Sequence, residues 1–290
     1  MMTRKRRGIL SATVLLLCVI FYWLFAAPGV ADLSISSTEL SIERGEYLVH
    51  AGGCISCHQG EGASGLSGGM ALVSDFGTFY APNITPDVST GIGGWNSREF
   101  LMALKHGRTP NGSFYYPAFP YRAYSGMSDQ DVMDIAAYLL AQEPVTHTVP
   151  KHDLSMWMSR WFMAGWNRLA DFSAKPPLLK TEDPLILRGA YLARNLGHCG
   201  ECHTPRNALG MLQQSREFAG ATMGESHADA INPDALTSWG REDFAFFLLL
   251  GMKPDGEFIG GEMESVIEHN TSMLSDEDRA ALAAFFKQER

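Results

Sequence analysis

The stretch that decides the reading is "GGCISCHQG", Gly52 to Gly60. Two cysteines separated by two residues and followed at once by a histidine suit half of a zinc site, a redox dithiol or a haem attachment point. The same pattern returns once, as "CGECH" from Cys199 to His203. Working outward from the two motifs separates the three possibilities.

The repetition extends well beyond the cysteines. "RGEYLVHAGGCISCH" from Arg44 recurs as "RGAYLARNLGHCGECH" from Arg188, with one extra residue ahead of the second cysteine pair. Downstream, Trp95, Phe100, Gly107, Pro110, Gly112 and Phe114 reappear as Trp239, Phe244, Gly251, Pro254, Gly256 and Phe258, each displaced by 144 positions. "NITPD" at Asn83 is echoed by "INPD" at Ile231, and "MSDQDVMDIAAYL" at Met127 by "LSDEDRAALAAFF" at Leu274, displaced by 147. Self-similarity at a fixed long period marks a duplicated structural unit. The expected division is 1–31 as a signal anchor, 38–143 and 185–290 as the two copies, and 144–184 as a helical linker.

Each copy reads as mostly helix. "NSREFLMALKHG" and "GREDFAFFLLLG" carry apolar residues at helical spacing and end in glycine. "SDQDVMDIAAYLLAQ" and "SDEDRAALAAFFKQ" open on a serine N-cap with aspartate three positions later, the pattern of a capping box. Long Gly- and Pro-rich loops separate the helices, so the core is thin for the length and would gain from a large internal apolar cofactor. In the linker, "DLSMWMSRWFMAGWNRL" is expected to be helical, with Trp157, Trp161, Phe162 and Trp166 packing on the body or lying on a membrane or partner.

Zinc needs about four ligands at compatible spacing, but each cysteine pair lies in its own repeat with its own histidine. A thioredoxin-like dithiol wants a βαβ context, which the pattern lacks. Haem attachment accounts for all three residues: Cys54 and Cys57, or Cys199 and Cys202, form thioethers to the vinyl groups, and His58 or His203 is delivered to the iron as proximal ligand. For the opposite face of the iron the candidates are Met127 in the first copy and Met263 or Met273 in the second. Histidine replacements are His50, His106, His147, His152, His198, His227 and His269.

Four basic residues, Arg4 to Arg7, precede an uncharged run from Gly8 to Ala31, the pattern of an export signal. The apolar part from Ile9 to Ala27 is 19 residues, close to the roughly 20 that cross a bilayer as a helix, which favours a retained anchor with everything after Asp32 exported. Cys18 is part of this apolar segment. The whole chain has 23 basic and 32 acidic residues, and without the basic head the rest is more acidic still, which argues against a nucleic-acid partner. Hydrophobic residues make up 46% of the 290, which excludes a wholly disordered chain.

From Ile42 to Phe286 the sequence resembles the bacterial two-domain c-type cytochromes related to the cytochrome subunits of membrane-bound alcohol, gluconate and aldehyde dehydrogenases. The phrases that carry this are "FGTFYAPNITPD", "TGIGGW", "YPAFPY", "GHCGECHTPRNALG" and the paired "SDxD" helices. The resemblance implies an all-α chain, a tandem pair of class I cytochrome c-like domains behind an N-terminal transmembrane helix, with two covalently attached haem c. It implies an electron carrier without catalytic residues of its own, held at the bacterial inner membrane with both haem domains in the periplasm. Its partners would be a periplasmic dehydrogenase and a respiratory acceptor.

In relatives of the second copy a methionine occupies the place of Met263. Some relatives carry methionine in the middle of the stretch that here reads "YPAFPY", where this chain has Phe119. The alcohol dehydrogenase subunits have three haems, and this chain has motifs for two. The competing expectation is a dihaem enzyme of the peroxidase or thiosulfate dehydrogenase type. Against it, peroxidase-type residues are missing around the first motif, and Cys18 is the one cysteine outside the motifs.

Overall fold

The computed structural model describes residues 4–60, 62, 64–156, 158–173, 175–223 and 226–288. Among them the chain is mostly helical, but it also forms two small antiparallel sheets that an all-helical reading leaves out. In the first, β1 (Ala71–Ser74) pairs with β2 (Gly77–Tyr80) so that Leu72 faces Phe79, and β3 (Asp153–Leu154) adds to Gly77 and Thr78 of β2. The second joins β4 (Ala221–Met223) to β5 (Ser226–Ala228). Strands of two to four residues are too short to leave an alternating signal in the sequence.

The first helix, α1 (Arg4–Phe25), contains the one segment among the described residues that is long and apolar enough to cross a membrane, Gly8–Phe25. An export signal meets the same description. Cationic side chains meet its carboxyl end: Arg108 donates to the Phe25 and Ala26 carbonyls at 3.3 and 3.4 Å, and Arg168 Nε to the Trp23 carbonyl at 3.0 Å. Positive charge placed there complements the helix dipole.

The first half then contains α2 (Glu39–Ala51), α3 (Cys54–His58), α4 (Ser97–His106), α5 (Tyr121–Tyr124) and α6 (Asp129–Leu140). The linker holds α7 (Phe162–Asp171), and the second half has α8 (Pro184–Tyr191), α9 (Gly200–His203), α10 (Arg241–Leu250), α11 (Glu262–His269) and α12 (Asp276–Phe286). In each half the first long helix crosses the last at a glycine. A Cβ on Gly45 would stand 1.9 Å from the Asp134 carbonyl oxygen, and one on Gly189 would stand 2.0 Å from that of Ala281. Only a residue without a side chain lets the two backbones approach so closely.

The extra residue of the second copy has a structural outlet. After α8 the helix widens into a π turn, Leu192–Leu196, that absorbs one residue and brings Cys199 to the position held by Cys54. Such turns occur mostly as single bulges within α-helices, frequently at functional sites. One apolar core runs through both halves and includes Val49, Phe100, Val132, Leu196, Leu282 and Phe285.

The linker departs from its expectation. Only Phe162–Asp171 of the foreseen long helix is α-helical, since Asp153 and Leu154 are drawn into the first sheet; Trp157 lies outside the described residues. Met163, Ala164 and Trp166 pack with Phe79, Phe114, Tyr116 and Met211 in a second core, so one face of α7 does lie on the body. Trp161, Phe162, Leu169 and Phe172 remain exposed.

The capping boxes expected at α6 and α12 form only by halves. Ser128 and Ser275 accept from the backbone N–H groups of Asp131 and Asp278 at 3.0 and 3.2 Å. The aspartates themselves turn to the opposite half. Tyr47 Oη donates to Asp278 at 2.6 Å and Tyr191 Oη donates to Asp131, while Ser275 N and Ser128 N donate back to the two tyrosine oxygens at 3.3 and 3.4 Å. Tyr47 corresponds to Tyr191 in the repeat, and Asp131 to Asp278, so the contact is reciprocal in the way of an isologous interface.

Candidate functional site

Both cysteine motifs lie on short helical turns at the ends of the first long helices. Gly53 turns the chain out of α2 with φ of 69°, and Cys54, Cys57 and His58 follow on α3. A helical turn of this kind sets residues three and four apart on one side, so one thiol and the imidazole share a face. In the second half His198, with φ of 40°, turns the chain ahead of Cys199, Cys202 and His203.

Each histidine is fixed by the same device. His58 Nδ1 donates to the Pro82 carbonyl at 2.8 Å, and His203 Nδ1 donates to the Asp229 carbonyl at 2.6 Å. A carbonyl can only accept, so the proton is on Nδ1 and the Nε2 lone pair is left for a metal. Such a bond sets both tautomer and ring orientation of a ligating histidine. The backbone repeats the pattern, with Gly68 N donating to the His58 carbonyl and Gly220 N to that of His203, both at 2.8 Å. Burial lowers the pKa of each imidazole, which keeps Nε2 unprotonated.

The thiols are not poised for redox chemistry. Burial pushes Cys54 and Cys199 up to about 12 and Cys202 to about 11, and raises Cys57 as well. Redox dithiols have depressed values instead. Among the described residues no three or more His, Cys, Asp or Glu side chains gather as a metal site would need, so the two pairs do not build a shared zinc site. A donor set of two neutral thiols beside one imidazole with a free Nε2, built twice, fits covalent haem.

The methionines stand in different settings. Met127 is 2% exposed in the main core, directly before the N-cap of α6. Met263 is half-buried at the start of α11 and packs against that core, and Met273 is 51% exposed. Of the candidate histidines, His50 Nδ1 donates to the His269 carbonyl, His147 Nδ1 to that of Ser67, and His198 Nε2 to that of Gly52.

The motifs also meet each other. A Cβ on Gly53 would touch His198 Nε2 at 3.1 Å, Leu196 lies 3.4 Å from the Cβ position of Gly52, and Ser56 Oγ donates to Asn270 at 3.0 Å. Buried Tyr124 joins the seam by donating to the Gly52 carbonyl at 2.6 Å, with its ring edge-on to His198. A cleft of about 830 Å3 opens beside α3, between Ile55, Ser56, Gln59 and His269. The sequence offered no signal for the carbonyls of Pro82 and Asp229 beyond the recurring "NITPD" and "INPD" beside them.

Comparison with known proteins agrees with this construction. Residues 42–143 match the cytochrome c family. The chain is 44% identical over 254 residues to a dihaem c-type cytochrome of Cereibacter sphaeroides, covering 84% of each. It is 37% identical to the cytochrome c subunit of gluconate 2-dehydrogenase from Pantoea cypripedii, covering 85% of this chain and 59% of that one. It is 37% identical to the fructose dehydrogenase cytochrome subunit of Gluconobacter japonicus, covering 85% and 52%. The chain therefore spans little more than half the length of those two subunits. It belongs to the dihaem c-type cytochromes, electron-transfer proteins, and its cofactors are two covalently bound haem c groups.

Proposed function

We propose that the chain is a tandem pair of class I cytochrome c-like domains, 38–143 and 185–290, joined by 144–184. It would carry electrons from a periplasmic dehydrogenase to the respiratory chain. Cys54 and Cys57 tether the first haem and Cys199 and Cys202 the second. His58 and His203 are the proximal ligands, and Met263 is the distal ligand of the second iron. The bound haems supply a one-electron iron couple. The protein's part is to hold each imidazole through the Pro82 or Asp229 carbonyl, and to offer the haems the apolar surface of the shared core.

The observation that carries this reading is the identical, twice-built Nδ1 bond, which leaves a coordinating nitrogen beside each thiol pair. The contact between the motifs, through Gly52, Gly53 and His198, supports passage of electrons within one chain. Residues 1–31, retained as an anchor, would hold both domains on the periplasmic face of the inner membrane. The names of the related subunits support a dehydrogenase as electron donor.

A pyridine haemochrome assay should count two haems per chain, falling to one when Cys54 and Cys57 are both replaced by alanine; one haem in the native protein refutes the reading. Purification from detergent-solubilised membranes should bring a dehydrogenase with it, and purification alone, with no such enzyme, counts against the proposed donor.

A further inference from the structure

The two halves differ where the sixth ligand would stand. Their register is fixed by matching backbone bonds. Gly107 and Gly251 both end the middle helix in the left-handed conformation, with φ of 60° and 72°. Arg108 then bridges to Phe114 as Met252 does to Phe258, and Tyr115 N donates to the Gly107 carbonyl as Ile259 N does to that of Gly251, each at 2.8 Å. Four residues further on stand Phe119 and Met263, again 144 apart, both half-buried against the main core. The additional residues of the second half come later, where α11 has eight residues and α5 has four.

Both positions pack against the main core, as do the leading cysteines of the motifs, Cys54 and Cys199. Phe119 packs edge-on to Tyr124 at 5.7 Å, and the Tyr124 hydroxyl donates at 2.6 Å to the carbonyl of Gly52, two residues before Cys54. The surroundings differ in kind. Phe119 also lies edge-on to Tyr115 at 5.3 Å, whose hydroxyl has no hydrogen-bond partner among the described residues, while isoleucine fills the matching place in the second half.

Met127 does not restore the balance. It is buried directly before the N-cap Ser128, and Leu274 is buried in the same place before Ser275. Leucine has no donor atom, so apolar packing is sufficient reason for either residue there.

We infer that Phe119 leaves the iron of the first haem without a thioether ligand, open to a small π-accepting diatomic molecule such as carbon monoxide, while Met263 closes the second. The inference rests on His58 and His203 as proximal ligands. A thioether raises the potential of a haem, and the polarity and access of the distal side govern what else the iron binds. The first haem therefore has the lower potential of the two, and electrons run from it to the second.

The test uses the full-length holoprotein in detergent, after the haemochrome assay has counted two haems, so that a missing haem is distinguished from an open one. Electron paramagnetic resonance of the oxidised protein should show one high-spin and one low-spin haem, and the reduced protein should bind one carbon monoxide per chain. Phe119→Met should abolish carbon monoxide binding, convert the high-spin signal to low-spin and raise the lower of the two midpoints; Met127→Leu should leave both native signals in place. Two low-spin haems with no carbon monoxide uptake in the native protein overturn the inference whichever side chain ligates, and so does the appearance of a new high-spin signal in Met127→Leu.

Discussion

His58 and His203 reach the same state from different surroundings. One is held by the carbonyl of a proline 24 positions away and the other by that of an aspartate 26 positions away. A backbone acceptor tolerates any side chain, which is why the partner left no residue signature. The same carbonyl does constrain a nearby glycine. Gly68 has φ of 78°, and a Cβ there would lie 2.4 Å from the Pro82 carbonyl oxygen, the group that orients His58. Gly68→Ala should cost about 1–3 kcal/mol through overpacking, and more through its positive φ. A lowered thermal midpoint would register the cost, together with a change in the spectrum of the first haem and none in the second.

At the scale of elements, caps and periodicities were legible because they depend on residues within one turn. The serine N-caps of α6 and α12 and the glycine ends of α4 and α10 are found where the sequence puts them. What could not be read was the fate of the aspartates three residues into α6 and α12. Their partners include tyrosines of the other half, and Asp278 also takes a two-pronged, charge-assisted bond from Arg188. The π turn in Leu192–Leu196 was foreshadowed by the inserted residue, though not its form. The helix crossings are the sharpest case. Gly45→Ala and Gly189→Ala each force a methyl group onto a carbonyl, and either should lower stability by about 1–3 kcal/mol or more, measured by denaturant titration of the holoprotein.

Across the whole molecule the seam between the halves carries a reciprocal set of polar bonds beside the shared apolar core. Arg188 holds Asp278 through two bonds of 2.8 and 2.6 Å from its own half, and Tyr47 adds a third from the other. Burial alone would raise the Asp278 carboxyl, but the Arg188 and Tyr47 bonds outweigh it and the net shift is downward. A carboxyl whose folded pKa is depressed contributes its stability above the unfolded value of roughly 3.9 and loses it as pH falls through the folded value. Acid melts of the native protein should therefore lose stability below about pH 4 more steeply than those of Asp278→Asn, which should be weaker at neutral pH by about 1–3 kcal/mol. Parallel curves for the two would remove Asp278 from the seam's pH dependence.

By itself the sequence determined the two cysteine–histidine motifs, the duplication and the helix termini. Covalent chemistry, repeat register and capping all act over a few residues or recur at a constant interval. The tertiary structure decided which carbonyls orient the imidazoles, how the extra residue is absorbed, and that the halves meet motif to motif. Those contacts join groups up to 231 positions apart, such as Tyr47 and Asp278, and their partners are chosen by packing. The same register sets Phe119 at the place that Met263 holds in the second half, and it is from that difference that the two haems are inferred to differ.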